Sequence, residues 1–202
     1  MARPFVQLNR NFARIPIDQE FNADHDDALY LFGLSSQTKW IEVLEKWRVI
    51  ILAEAGAGKT KEIEEITKEL RRTGKRAFFI RLEHLIGDIE EAFQEGTKAE
   101  FSDWINSDDD AWIFLDSVDE ARLIGPKSFE TAIRKFSVAI RDCLQRAHIF
   151  ITSRITEWRP VTDLQLVKDQ LPYREKVEIK KDELSSGSIG KTKKTRLLVE
   201  MH

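Results

Sequence analysis

Lys59 and Thr60 close the stretch Val49-Ile50-Ile51-Leu52-Ala53-Glu54-Ala55-Gly56-Ala57-Gly58-Lys59-Thr60, an apolar segment that runs into a glycine-bearing turn. A turn of this kind aims successive backbone N–H groups at phosphate oxygens. Its lysine reaches the outer phosphates, and its Thr hydroxyl takes one position on Mg²⁺. A helix starting near Lys59 adds the positive end of its dipole. The phosphate contacts are therefore expected from Ala53, Glu54, Ala55, Gly56, Ala57, Gly58, Lys59 and Thr60. Ala53 stands where G-x-x-x-x-G-K-[ST] has its first glycine, a replacement that its small side chain tolerates.

A Mg-nucleotide site also needs a carboxylate on a strand beside that turn, because the metal is held from the side opposite the lysine. The run Ile113-Phe114-Leu115 ends in Asp116, and the acidic pair Asp119-Glu120 follows. Asp116 fits as the metal ligand that joins Thr60, and Asp119 or Glu120 as the group that orients and deprotonates an attacking water. The bland alternative is a strand-to-helix turn with capping acids. Thr152-Ser153-Arg154 ends a later apolar run, and Arg154 there would neutralise charge on the γ-phosphate; its alternative is an exposed surface arginine. Trp158-Arg159-Pro160 follows closely enough to close over a nucleotide.

Positioning these residues falls to alternating strand and helix patterns. Strands are expected over 47–52, 76–82, 111–115 and 148–152, with a fifth over 176–179. Helices are expected over 35–46, 61–72, 88–93, 98–105, 127–146 and 162–171. The helix over 61–72 sets Ile63, Ile66 and Leu70 on one face and stops at Gly74. The helix over 127–146 carries the stripe Phe129, Ile133, Phe136, Ile140 and Leu144. Near-continuous apolar strands indicate a parallel sheet covered on both faces, and strand C-termini in such a sheet line one ligand crevice. Trp40 and Trp47 read as core or as a lid over the sheet edge.

Two other clusters take bland readings. Asp24-His25-Asp26-Asp27 reads as a solvated turn capping a helix from Ala28 rather than a metal site. Gly187-Ser188-Ile189-Gly190-Lys191-Thr192 copies the end of the first motif. It lacks a preceding apolar strand and runs into Lys193-Lys194-Thr195-Arg196, so it belongs to a flexible basic tail.

Composition is ordinary for a soluble protein, with 42% hydrophobic and 33% charged residues. No apolar run approaches the ~20 residues of a membrane span. The lone Cys143 suits a reducing cytoplasm and fills core space, and the first residues lack the apolar core of a signal peptide. A net charge of −3 argues against bulk binding to nucleic acid.

With the three motifs placed, the chain resembles the NACHT group of STAND-type P-loop NTPases. Residues 53–60 look like their Walker A, Asp116-Ser117-Val118-Asp119-Glu120 like their extended Walker B, and Thr152-Ser153-Arg154 like their sensor 1. The resemblance implies a three-layer α/β/α fold with a mainly parallel sheet in the order 5-1-4-3-2. It divides the chain into an N-terminal extension (1–35), an NTPase domain (36–180) and the basic tail (181–202), a core region truncated after sensor 1. It further implies Mg²⁺-dependent binding and slow hydrolysis of ATP (or dATP, with ADP as the alternate occupant) in a cytoplasmic signalling switch of the bacterial antiviral defence type. Self-association or a protein partner would follow. The alternative is a nucleotide-binding module that contacts a partner without turnover.

Overall fold

The computed structural model describes residues 11–15, 38–87, 89–173 and 198–201. Its strands are β1 (Asn11–Ile15), β2 (Thr38–Lys39), β3 (Arg48–Ala53), β4 (Arg76–Arg81), β5 (Phe93–Glu95), β6 (Ala111–Asp116), β7 (Ala147–Arg154) and β8 (Leu198–Met201). The α-helices are α1 (Trp40–Val43), α2 (Lys59–Arg72), α3 (Ile89–Ala92), α4 (Lys98–Ile105), α5 (Val118–Ile124), α6 (Ser128–Ala139) and α7 (Thr162–Gln170). All eight strands form one sheet in the order β2-β1-β8-β3-β7-β6-β4-β5. The five strands β8, β3, β7, β6 and β4 run parallel. Strands β1, β2 and β5 pair antiparallel at the margins.

This order departs from the expected 5-1-4-3-2. The sheet is longer than five strands, and the neighbour of β3 away from β7 is β8 rather than residues 176–179, which lie outside the described residues. Short edge strands of two to five residues carry too few side chains to print a period on the sequence. The turn around His25, the helix from Ala28 and residues 187–192 also lie outside the described residues. Leu198–Met201, expected within a flexible tail, forms β8.

Side-chain alternation along the central strands builds two apolar layers. Ile50, Leu52, Phe78, Ile80, Ile113, Leu115, Ile149 and Ile151 face a core shared with α4, α5, α6 and α7. Val49, Ile51, Ala77, Phe79, Phe114 and Phe150 face a smaller core closed by α1 and α2, with Phe12 at its margin. Both faces being buried is what makes these strands read as continuous apolar runs. No helix among the described residues is long and apolar enough to cross a membrane.

Two helices differ from expectation. The pattern over 127–146 divides into α6 and a 3-10 turn over Arg141–Arg146. With three residues per turn, Ile140 and Cys143 stay on one side, and both are buried. Of the helix expected over 35–46, the described residues 38–46 contain α1 preceded by β2. Trp40 packs edge-on against Phe12 at 4.7 Å and donates to Glu62 Oε1 at 2.7 Å, a lid over the sheet margin. Trp47 instead stacks between His148 (3.8 Å) and Tyr173 (4.7 Å).

Arg48 ties the lower end of the sheet together. It donates to the carbonyls of Trp47 (2.7 Å), Leu144 (2.7 Å) and Leu171 (2.8 Å), joining β3, the 3-10 turn and the end of α7. Burial pulls its pKa down to about 10. Arg48→Met keeps the stem but removes the donor to the Leu144 and Leu171 carbonyls, while the Trp47 carbonyl keeps the Ile149 amide. Loss of such charge-assisted bonds predicts destabilisation by about 3 kcal/mol, read as a lower urea midpoint at unchanged m-value; a loss under about 1 kcal/mol would mean water replaces the guanidinium.

Candidate functional site

Strand parity sets the site. Arg81 pairs with Asp116 across β4 and β6, and Leu115 pairs with Ile151 across β6 and β7, which brings Thr152 level with Asp116. Residues two apart share a face, so Asp116 lies on the face of Phe114 and Thr152 on that of Phe150. That is the α2 face of the sheet. Ala53 pairs with Arg154 at the tips of β3 and β7.

Between β3 and α2 the chain makes a tight turn through Glu54, Ala55, Gly56, Ala57 and Gly58. Gly56 and Gly58 have φ of 74° and 81°, the left-handed region that favours glycine. Gly58 caps α2, whose first N–H groups have no partner within the helix. The Ala57 amide donates to the Glu54 carbonyl at 3.3 Å, whereas among the described residues the amides of Gly56 and Gly58 meet no backbone acceptor. Ala53 is the buried last residue of β3, not part of the turn itself.

Lys59 is the unusual cation here. It is 9% exposed, and its Nζ rests on the carbonyls of Ala53 (3.5 Å) and Glu54 (3.3 Å). Among the described residues no carboxylate lies within salt-bridge distance of that ammonium. Burial lowers its pKa, while the charges of Asp119, Asp116 and Glu120 raise it and Arg154 lowers it further, so all four groups act on it. A buried ammonium at the head of a helix, beside undonated amides, has the chemistry that an anion site requires.

Asp116 has no exposed surface. Its Oδ2 accepts from Thr60 Oγ1 at 2.8 Å, and its Oδ1 accepts from Thr152 Oγ1. Burial raises its pKa above the ordinary carboxylate value, against the lowering effects of the two hydroxyls and Arg81. A Thr hydroxyl and a carboxylate are hard oxygen donors suited to Mg²⁺, which keeps several waters and binds few protein ligands. Among the described residues no group of three or more His, Cys, Asp and Glu side chains is disposed to hold a metal alone. A cation at Thr60 and Asp116 would complete its shell with water or with a ligand's oxygens.

The acidic pair divides into two roles. Ser117 caps α5 by accepting from the Glu120 amide, which directs Asp119 and Glu120 from the first turn of that helix. Asp119 is clamped by Arg154, with Nε to Oδ2 at 2.7 Å and the backbone amide to Oδ1 at 3.2 Å. Glu120 is more open, with 37% of its side chain exposed, and burial with the Glu83 charge raises its pKa while Arg81 lowers it. Of the two acids, Glu120 is therefore the more accessible to water. Arg154 is 45% exposed beyond its clamp.

Sequence reasoning missed Arg81 and Glu83. Arg81 reaches Glu83 Oε1 (2.8 Å), Glu120 Oε2 (3.0 Å) and Asp116 Oδ2 (3.6 Å). The available signal was positional: Arg81 ends an apolar strand just as Asp116 and Arg154 do. Trp158, expected to close over a ligand, is buried near Phe129 (6.4 Å), and its amide donates to the Arg154 carbonyl. The Arg159 amide instead donates to Asp163 in the first turn of α7, and the buried Arg122–Asp163 pair (2.6 Å) locks α7 to α5.

No protein-family model matches the sequence, and no curated protein matches it.

The raised Asp116 pKa carries a sign. The folded chain keeps this proton at pH values where the unfolded chain, with an ordinary value of about 3.9, has lost it. Stability therefore falls as pH rises through that window, and the full penalty remains at neutral pH. Asp116→Asn retains a partner for each Thr hydroxyl without the charge. It is expected to raise Tm near neutral pH, with the gain over wild type narrowing toward about pH 4; an equal or lower Tm at neutral pH contradicts this.

Proposed function

We propose that this chain is a P-loop NTPase core that binds Mg·ATP across the Gly56–Lys59 turn and the tips of β6 and β7. The observation that carries the proposal is Lys59, a buried ammonium resting on two carbonyls at the N-terminus of α2 beside two left-handed glycines. That arrangement matches what a triphosphate requires of a protein.

In this reading the amides of residues 54–60 orient the phosphates and Lys59 binds the outermost oxygens. Thr60 and Asp116 would hold Mg²⁺, which when bound supplies charge neutralisation on the phosphate oxygens. Glu120 aligns a water and takes its proton, and a raised pKa suits that task. Asp119 holds Arg154 at the rim, from which the guanidinium can neutralise charge on the terminal phosphate. Positioning and electrostatics are most of what phosphoryl transfer asks of a protein.

The motif resemblance to NACHT-type STAND proteins extends the proposal to a nucleotide-controlled switch that contacts a protein partner or another copy of itself, as in bacterial defence. ADP and dATP fit the same cradle. A second reading, binding without turnover, is favoured by one observation: Arg81 already engages Glu120.

Calorimetry with Mg·ATP tests the proposal. Lys59→Ala should weaken binding at least about tenfold, a loss of about 1.4 kcal/mol. Glu120→Gln should bind as wild type and lose single-turnover hydrolysis. Wild-type protein that takes up no nucleotide at millimolar ATP would end the reading. Binding with no product in a single turnover would select the non-enzymatic form.

A further inference from the structure

We propose that Arg81 is the resident counter-cation of this site, standing against the same Asp116 oxygen that a divalent metal would use, so that metal entry and Arg81 compete. The inference rests on the cation site assigned to Thr60 and Asp116.

Three carboxylates from separate segments grip one guanidinium. Glu83 follows β4, Asp116 ends β6 and Glu120 lies in the first turn of α5. The contacts are unequal, tight to Glu83 and Glu120 and looser to Asp116. Asp116 Oδ2 is the shared atom, since it also takes the Thr60 hydrogen bond. The placement is built into the backbone: Arg81 and Asp116 are register partners, and the Leu82 amide donates to the Asp116 carbonyl at 2.7 Å. A divalent cation seated against Oδ2 would face the guanidinium across one oxygen, and like charges so placed repel.

Relief of that repulsion has a direction. Glu83 sits outside the Thr60–Asp116 pair, 11% exposed, and its Oε2 is buried with no hydrogen-bond donor. Arg81 is itself 24% exposed, so its guanidinium has room to turn. Moving onto both Glu83 oxygens would satisfy that orphaned acceptor, release Asp116 to the metal and free Glu120 for a water. Arg81 is thus a positioning residue that acts through Asp116 and Glu120, and Glu83 is its alternative seat.

The test uses Mn²⁺ alone, without nucleotide, followed by the loss of the free-ion electron paramagnetic resonance signal. Arg81→Met removes the competing charge and should lower the half-saturating Mn²⁺ concentration at least about fivefold. Glu83→Gln weakens the alternative seat and should raise it. A role confined to holding the fold would not move the two variants in opposite directions. Unchanged or weaker Mn²⁺ binding in Arg81→Met, or no saturable binding in it at all, overturns the proposal. If Arg81→Met fails to fold, Glu83→Gln decides alone, and an affinity equal to or tighter than wild type is the overturning result. Calorimetry with ATP on the same samples separates the two readings. Opposite Mn²⁺ shifts without nucleotide binding leave the competition standing and remove the NTPase assignment. Normal nucleotide binding without the shifts does the reverse.

Discussion

Asp116 is held ionisable where burial opposes its charge, and most of the site follows from meeting that constraint. A carboxylate with no exposed surface must have its oxygens occupied. One is taken by Thr60 from the first turn of α2 and the other by Thr152 from β7. Those bonds require α2 to start where it does and β7 to lie directly beside β6. The glycine turn, the strand neighbours and the Thr residues are therefore parts of one arrangement.

The same constraint explains why the polar groups gather at one end of the sheet. Its central strands are apolar on both faces, so within the sheet a charged side chain would meet only hydrocarbon. Charge becomes tolerable where the strands end and loops bring other polar atoms and water. Arg81, Asp116 and Arg154 each end a strand at that rim. Parallel pairing then places all the tips on the same side, which antiparallel strands would not do.

Legibility in the sequence tracked how much apolar surface each element buries. The four central strands and α2 were readable because Val49–Ala53, Ala77–Ile80, Ile113–Leu115 and Ile149–Ile151 are buried on both faces and so form unbroken runs. The turn was readable because left-handed φ at Gly56 and Gly58 favours one residue type. Strands β1, β2, β5 and β8 were not, since their pairing is decided by remote partners rather than by local pattern. Within the site, the acidic pair was visible but its division was not: the first turn of α5 aims Asp119 at Arg154 and Glu120 at Arg81. Arg81 was hidden for a related reason, because its significance comes from register with Asp116, a relation between segments that adjacency in the chain does not carry.

Charge distribution, more than charge total, gives the rim its polarity. Glu83, Asp116, Asp119 and Glu120 face Lys59, Arg81 and Arg154, so four carboxylates oppose three cations. A net excess of acid would repel an anionic ligand if it were spread evenly. It is not spread evenly. Arg81 sits among three carboxylates on the β4 side, Arg154 is matched to Asp119, and Lys59 has carbonyls in place of a carboxylate. At the α2 end Lys59 and the helix N-terminus supply positive charge beside Glu54 and Glu62, while the β4 end gathers three carboxylates around Arg81. An anion drawn to the first and a cation drawn to the second would meet at Thr60 and Asp116, the pair that lies between them. Under the proposed function, such an arrangement would orient a metal-bound polyphosphate with groups that the folded chain already holds in place.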